Sequence, residues 1–179
     1  MATTPSTQSA LTIKGPGEIA FTTSVPVPTL PPDGLLVRVV AVALNPDDAK
    51  SSEYSPTLGA ISGCDFAGWV VAIGHLVTRP LQVGDRVCAM VFGNNPKEPG
   101  NGAFATYVTA SADLVFQIPP KMSFEEGAAL ACGITTCGLA LYHTLGLPQP
   151  PERSLDPHFV LIYGASTATG TLAIQFVKQ

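Results

Sequence analysis

Residues 158–179 read HFVLIYGASTATGTLAIQFVKQ, and this stretch decides the fold. The short apolar run at 159–163 predicts a buried strand, the small residues at 164–170 predict a turn, and residues 172–177 predict a helix. A nucleotide-binding domain begins in this order, because small side chains let backbone amides approach a pyrophosphate and the helix N-terminus adds partial positive charge. The stretch therefore predicts the first βα unit of such a domain.

The glycine pattern of this turn is an incomplete dinucleotide fingerprint. Gly164 is in place, but Ser166 and Thr169 stand where the second and third glycines of G-x-G-x-x-G would be, and their hydroxyls could donate to phosphate oxygens. An ordinary strand, turn and helix also fits. The sequence stops 15 residues after Gly164, short of the position about 20 residues on that reads the ribose 2′ group. We therefore expect the domain to be truncated.

Upstream of this unit, dense Gly and Pro punctuation predicts an all-β region. Short Val-rich runs are separated by turn sequences such as PPDG, QVGD and EPGNG. The run LLVRVVAVAL at 35–44 is apolar almost throughout, as expected for a strand buried on both faces, and a compact barrel would bury it. The polar, Ser/Thr-rich first ten residues predict a flexible tail.

The pattern changes at Ser123, where Ser-Phe-Glu-Glu fits a capping box that begins a helix. The Ala/Leu-rich sequence that follows is interrupted by glycines, so we expect two helical pieces with a break near Gly133 and Ile134. The prolines of LPQPPERSLDPH, at 147–158, predict a stiff surface connection. The expected domains are a flexible tail at 1–10, a barrel at 11–122, a helical connection with a Pro-rich linker at 123–157, and the start of a nucleotide-binding domain at 158–179.

Composition excludes several classes of protein. Hydrophobic residues make up 46% of the chain and charged residues 12%, which favours a large core. Nine Lys and Arg residues with a net charge of -4 give no basic footprint for nucleic acid. No run approaches the roughly 18 apolar residues that cross a bilayer. The four cysteines form no C-x-x-C pair and have no histidine at metal-ligand spacing. We expect a cytoplasmic protein that binds no nucleic acid, membrane or metal.

The order of several motifs resembles the medium-chain dehydrogenase/reductase superfamily. These motifs are LNPDDAK, GCDFAGWVVAIG, VGDRV, GAFATYV and EEGAALACGITTCGLAL, ahead of the nucleotide-binding unit. More narrowly, NPDDAK, GITTCGLAL and YGASTATGTLAIQ resemble the trans-acting enoyl reductases of fungal polyketide synthase clusters, of the lovastatin-pathway type. The resemblance runs from about residue 11 to the end. It implies an α+β fold: a GroES-like β-barrel domain followed by the first βα unit of a truncated Rossmann nucleotide-binding domain.

Departures from the zinc-dependent members of the superfamily are informative. Those enzymes place a cysteine ligand where this sequence has Asn45, and Gly-His-Glu where it has Gly63, Cys64 and Asp65. Their four-cysteine lobe is also missing, because VFGNNPKEPGNG at 91–102 contains no cysteine. The resemblance thus implies a metal-free reductase that delivers hydride to a carbon conjugated with a carbonyl. Enoyl thioesters and quinones both meet this description.

The resemblance also assigns roles to particular residues, with Lys50 and Thr136 as the catalytic pair. Lys50 would hold the cofactor or an enolate, although a surface lysine on a polar loop is the alternative. The residues expected beside the nicotinamide end of NADPH are Asp47, Asp48, Ala49 and Lys50. Those expected at its phosphates are Ser166, Thr167, Ala168 and Thr169. The substrate-lining residues would be Thr136, Cys137, Gly138, Leu139, Ala140, Leu141, Tyr142 and His143, although 139–141 also suit core packing.

The implied function is reduction, with NADPH, of the α,β-unsaturated thioester of a carrier-bound polyketide. The implied partner is a polyketide synthase or hybrid synthase served in trans, and members of this family are often monomeric. Two alternatives stay open. One is a truncated, catalytically inactive accessory or binding protein, and the other is a zinc-free, quinone-type oxidoreductase that acts on small enones.

Overall fold

The computed structural model of the protein describes residues 4–152 and 159–178. The chain divides into two compact units, Met1–Ala131 and Cys132–Gln179. Residues 1–3 of the expected tail and residues 153–158 of the expected Pro-rich linker lie outside the described residues. None of the helices in the described ranges is both long and apolar enough to cross a lipid bilayer.

The first unit is built on two antiparallel sheets. Its strands are β1 (Thr7–Gly15), β2 (Glu18–Pro26), β3 (Gly34–Ala43), β4 (Asp65–Ile73), β5 (Arg86–Met90), β6 (Tyr107–Ser111) and β7 (Val115–Gln117). β1 pairs with β2, and the other five strands form one sheet in the order β6-β3-β4-β5-β7. Isolated bridges from Ala10 to Ala105 and from Thr12 to Ile61 tie the hairpin to the rest of the unit. The prediction of a β-rich region is confirmed, but it is not all-β, because residues 46–54 form an α-helix that the sequence did not predict.

The N-terminal segment departs from the prediction. β1 begins at Thr7, so the expected flexible tail is wrong for residues 7–10. The side chains of Gln8 and Ala10 are buried, and Gln8 Oε1 accepts a hydrogen bond from the backbone amide of Tyr107 at 2.6 Å. The polar composition of this segment predicted a flexible tail, but a polar side chain is readily buried once its hydrogen bonds are satisfied.

The main core of the first unit is formed by the five-stranded sheet and the loops that connect its strands. Its largest buried side chains include Leu35, Val37, Phe66, Val70 and Val87. The first half of β3 is buried on both faces, as predicted, but from Arg38 onward exposed and half-buried residues alternate. The change coincides with the end of the pairing with β6, which reaches only from Gly34 to Arg38.

A short helix, α2 (Phe124–Ala128), packs against the second sheet and begins as predicted. Ser123 N donates to Glu126 Oε2 at 2.7 Å, and Glu126 N donates to Ser123 Oγ at 3.1 Å, which is a reciprocal capping box. The Phe124 ring lies edge-on to Trp69 at 5.1 Å and under the guanidinium of Arg86 at 4.5 Å. These contacts fix α2 on the sheet.

The helical break lies elsewhere than predicted. α3 (Ala131–Cys137) follows α2 after a turn at residues 129 and 130, and Gly133 is inside α3. A Cβ on Gly133 would lie 2.4 Å from Leu172 Cδ1, so this glycine serves close packing and does not interrupt the helix. The backbone continues from α3 as a π-helix over Gly138–Thr144. Helix propensity alone could not distinguish these two uses of a glycine.

The second unit contains α4 (Ala168–Phe176), the helix of the predicted βα unit. The Phe176 ring packs edge-on against Tyr142 of the π-helix at 6.2 Å. The predicted strand is absent, because residues 159–163 form no strand in the structure and Phe159, Leu161 and Tyr163 are exposed. A strand requires a hydrogen-bonded neighbour, and the described residues of this unit supply none.

Candidate functional site

The motif NPDDAK forms the start of a helix, α1 (Pro46–Tyr54). Asn45 is the extended residue before it, Pro46 occupies the first turn, and Asn45 N donates to Asp48 Oδ2 at 2.7 Å. Proline suits this position because its missing N–H would have no helical partner there. Lys50 is therefore an exposed residue on a fixed helix and does not sit on a polar loop.

The four residues of α1 that were predicted to bind the cofactor differ in their exposure to solvent. Asp47, Ala49 and Lys50 are exposed, whereas Asp48 is 6% exposed and turns into the unit. Its Oδ1 atom is buried and meets no donor at full hydrogen-bond geometry among the described residues, although the Cys64 thiol and amide lie near enough to favour the carboxylate. Burial raises the pKa of this carboxyl, although the Asn45 amide partly opposes the rise. Asp48 therefore stabilises the N-terminus of α1 by accepting the hydrogen bond from the Asn45 amide.

Cys64 lies beside Asp48 in the same corner. Burial raises the pKa of its thiol to about 12, and the nearby charges of Asp48 and Asp47 add to the rise. Burial and the Asp65 charge similarly raise the pKa of the Cys88 thiol to about 11. Both side chains are therefore protonated thiols near neutral pH, poorly suited to act as nucleophiles or anionic ligands.

Asn45 stands where the zinc-dependent enzymes place a cysteine ligand and Asp65 where they place the Glu of Gly-His-Glu, and in the structure these two residues bind each other. Asn45 Nδ2 donates to Asp65 Oδ2 at 2.8 Å, and Asp65 is 2% exposed. Within residues 4–152 and 159–178, no cluster of three or more His, Cys, Asp or Glu side chains could hold a metal ion. The bond fixes the orientation of the Asn45 amide at the N-terminus of α1.

In the second unit, the small-residue turn is closed by Thr167. Its hydroxyl donates to Gly164 O at 2.8 Å and accepts from Gly170 N at 3.0 Å, so it caps α4. Gly164 adopts a φ of 81°, in the left-handed region that favours glycine. The Thr167 amide also donates to Gly164 O, at 3.0 Å, so both donors of this residue are used within the turn and neither is left for the predicted contact with phosphate.

Gly170 is a residue of this turn that sequence reasoning missed. A Cβ at this position would lie 2.2 Å from Gly164 O and 2.9 Å from Ala165 Cα, so α4 approaches the turn as only a glycine permits. The signal was present in the sequence, one residue beyond Thr169, where the fingerprint places its third glycine. The helix α4 therefore packs more closely against this turn than the motif match indicated.

The predicted substrate-lining residues divide between two faces of the helix. Thr136, Leu139, Ala140 and His143 are exposed on one face. Cys137 and Leu141 are buried on the other, where Cys137 Sγ donates to Thr169 O at 3.5 Å. Gly138 and Tyr142 are intermediate. Only the exposed face can line a pocket, while Cys137 joins this helix to the small-residue turn.

Of the predicted catalytic pair, Lys50 belongs to the first unit and Thr136 to the second.

Comparison with known proteins defines the class. Residues 31–120 match the alcohol dehydrogenase GroES-like domain family, to which the chain belongs. The medium-chain dehydrogenase/reductase fold predicted from the motifs is confirmed by solved structures. One is a quinone oxidoreductase from Coxiella burnetii, with a TM-score of 0.72 and 27% identity over 96% of this chain and 53% of that one.

Within this class, several curated relatives are fungal trans-enoyl reductases. The chain is 50% identical to trans-enoyl reductase caaB of Aspergillus niger, over 97% of this chain and 50% of that protein. It is 47% identical to trans-enoyl reductase opdC of Penicillium oxalicum, over 100% of this chain and 52% of that protein. The resemblance drawn from NPDDAK, GITTCGLAL and YGASTATGTLAIQ is confirmed. The chain spans about half the length of these relatives.

Proposed function

We propose that the protein is a trans-acting enoyl reductase that uses NADPH to reduce the α,β-unsaturated thioester of a carrier-bound polyketide in fungal secondary metabolism. The partner would be the polyketide or hybrid synthase that carries the substrate. The observation that carries the proposal is the 50% identity to a trans-enoyl reductase over 97% of the chain, because it extends through both units.

The small-residue turn supports a dinucleotide as the cofactor. α4 has no acidic residue in its first turn, and its N-terminal amides add partial positive charge. Gly170 brings these amides against the turn at Gly164. The residues that would hold a pyrophosphate are Ser166, through its hydroxyl and amide, and Ala168 and Thr169, through their backbone amides, while Thr167 closes the turn that presents them. NADPH, when bound, supplies the hydride.

The chain's own side chains would bind and polarise the acyl thioester. Addition of hydride to the β-carbon places negative charge on the thioester oxygen, which requires a hydrogen-bond donor or a cation. Lys50 offers an exposed ammonium on a fixed helix, and Thr136 offers an exposed hydroxyl on α3. Leu139 and Ala140, on the same face as Thr136, would contact the apolar acyl chain. The α-carbon then takes its proton from solvent or from one of these donors.

The test is turnover of a 2-enoyl pantetheine thioester, followed by the loss of NADPH absorbance and by identification of the saturated product. We expect NADPH to be consumed in proportion to product, and Lys50→Met and Thr136→Val each to lower kcat by about a hundredfold, as for loss of an oxyanion donor. Lys97→Met, which removes an exposed lysine from the loop after β5, is the matched control and should retain activity.

Two results would contradict this proposal. Efficient reduction of small quinones with no turnover of the thioester would favour the quinone-type alternative. NADPH binding without reduction of either substrate would favour an accessory binding protein.

A further inference from the structure

The C-terminal end of α1 is capped by a residue that is distant in sequence. The last carbonyls of a helix have no partner within the helix, and no basic side chain lies in the last turn of α1. Asn94 Nδ2 donates to Ser55 O and, beside the Ser55 amide, to Ser51 O, both at 3.0 Å, while Gly17 N donates to Ser52 O at 3.0 Å. Ser51 directly follows Lys50, so one of these bonds reaches the neighbouring residue of the predicted catalytic lysine.

Hydrogen bonds fix both the backbone and the side chain of Asn94. It is 7% exposed, its N–H donates to Ile61 O at 2.9 Å, and its Oδ1 accepts from Thr57 N at 2.7 Å. Its carbonyl accepts from Thr57 Oγ1 at 3.1 Å. Because its amide nitrogen faces two carbonyls and its amide oxygen faces an N–H, the side chain has one satisfied orientation. Its φ of 58° lies in the left-handed region, which asparagine tolerates better than most residues.

The loop that carries Asn94 is anchored at both ends. A Cβ on Gly93 would lie 2.3 Å from Gly63 O, so the loop lies against the backbone beside Cys64. At the far end, Asn101 Nδ2 donates to Thr109 O at 2.9 Å and Asn101 Oδ1 accepts from Thr109 N at 3.0 Å. The loop is therefore a rigid support for α1.

We propose that Asn94 is a positioning residue, which holds the C-terminal end of α1 and thereby sets the place of Lys50. This inference rests on the proposed role of Lys50 in enoyl reduction. Asp48 holds the N-terminal end of α1 through the Asn45 amide, and Asn94 holds the other end. With hydrogen bonds at both ends of α1, the backbone that carries Lys50 is restrained against fraying.

The decisive variant is Asn94→Asp. It keeps an acceptor for Thr57 N but turns a carboxylate oxygen toward the two carbonyls, so the cap is lost. Asn95→Asp is the matched control, because it adds the same charge one residue away and keeps an acceptor for Lys97 N, which Asn95 Oδ1 binds at 3.0 Å. Asn94→Gly, which permits the same φ without the side chain, replaces Asn94→Asp if that variant fails to fold.

Two measurements test the proposal. Amide hydrogen exchange should become faster throughout α1, including Asp48 to Lys50, in Asn94→Asp and not in Asn95→Asp. Turnover of the enoyl thioester should fall between about ten- and a hundredfold, the range expected when a catalytic group is displaced by about an ångström. In a Lys50→Met background the same substitution should cause no further loss of kcat, because Asn94 acts through Lys50.

The outcomes separate this inference from the proposed function. If Asn94→Asp lowers kcat by the same factor with and without Lys50, its effect does not pass through Lys50, which overturns the positioning role and leaves the reductase intact. If the unsubstituted protein reduces no enoyl thioester, the proposed function fails. Amide hydrogen exchange at residues 48–50 then tests separately whether Asn94 holds α1 in place. Unchanged protection of these amides in Asn94→Asp overturns that claim.

Discussion

The two helices predicted to meet the cofactor, α1 and α4, begin in chemically opposite ways. The first turn of α1 contains Asp47 and Asp48, whereas the first turn of α4 contains no acidic residue and is capped by a neutral hydroxyl. Two carboxylates cancel the partial positive charge of a helix N-terminus, and a neutral cap preserves it. The difference supports the proposal that α4 contacts the phosphates of the cofactor, whereas the hydrogen bonds at both ends of α1 fix the helix that carries Lys50.

The largest effect is expected where α4 touches its turn. Gly170→Ala places a Cβ against Gly164 O, and neither backbone segment can move without breaking the cap. We expect a loss of about 1–3 kcal/mol in the free energy of unfolding, the range for overpacking, together with loss of measurable NADPH binding. Thermal melting and cofactor fluorescence measure the two effects.

Gly138→Ala is the control for Gly170→Ala, because a Cβ at that position would meet nothing within 4 Å. It should leave the melting temperature and NADPH affinity close to those of the unsubstituted protein. Equal behaviour of the two alanine variants would contradict the close-packing role of Gly170.

The charge difference between the helices can be reversed with Ala168→Asp, which gives α4 an acidic first turn like that of α1. We expect NADPH affinity to fall about tenfold through repulsion of the phosphates, while the melting temperature stays the same or rises because the new carboxylate favours the helix N-terminus. Calorimetric titration and thermal melting should therefore move in opposite directions. Ala168→Asn is the uncharged control, and an equal loss of affinity in both variants would count against electrostatics.

The Thr167 cap of α4 should contribute less to the free energy of unfolding than the close packing at Gly170, and its contribution can be measured separately. Thr167→Val removes the acceptor for Gly170 N and the donor to Gly164 O, and we expect the free energy of unfolding to fall by about 1 kcal/mol. Thr167→Ser should restore it. Thr171→Val, which removes only a hydroxyl bonded to Ala168 O inside the helix, should cost less, and a larger loss there would contradict the cap.

The smallest effect is the pH dependence contributed by Asp48. Burial raises its pKa in the folded protein, so the folded state binds the proton more tightly than the unfolded state does. Its contribution to stability is full below the unfolded pKa and is lost as the pH rises through the folded pKa. Asp48→Asn should therefore gain stability relative to the unsubstituted protein across that acidic window. Denaturant unfolding at a series of pH values measures this gain, and Asp47→Asn is the exposed control.

Local patterns in the sequence predicted local structure well. The capping box at Ser123 needs only residues within one helical turn, and it forms as predicted. The small-residue turn also leads into α4, as the sequence indicated. The strand predicted at 159–163 failed because a strand depends on a neighbour, and apolar composition cannot supply one.

Long-range contacts explain the remaining differences. Gly133 was predicted to break a helix, but Leu172, 39 residues away, packs where its side chain would be. The polar start of β1 is buried because Gln8 bonds to Tyr107, 99 residues away. Asn94 gave no sequence signal at all, since its partners in α1 lie 39 and 43 residues earlier. Of the candidate site, the sequence located the helices and the turn but could not identify what holds them.

The anchored loop after β5 has a practical consequence for engineering. Asn94 secures its entry and Asn101 secures its exit, while residues 96–100 between them are exposed. Inserted length changes the closure entropy of such a loop only slightly, and exposed loop tips tolerate insertions best. A peptide tag or fluorophore-bearing segment placed between Lys97 and Glu98 would interrupt the turn closed by Glu98 N and Asn95 O at 3.2 Å, but it should leave the Asn94 bonds to the helix that carries Lys50 in place.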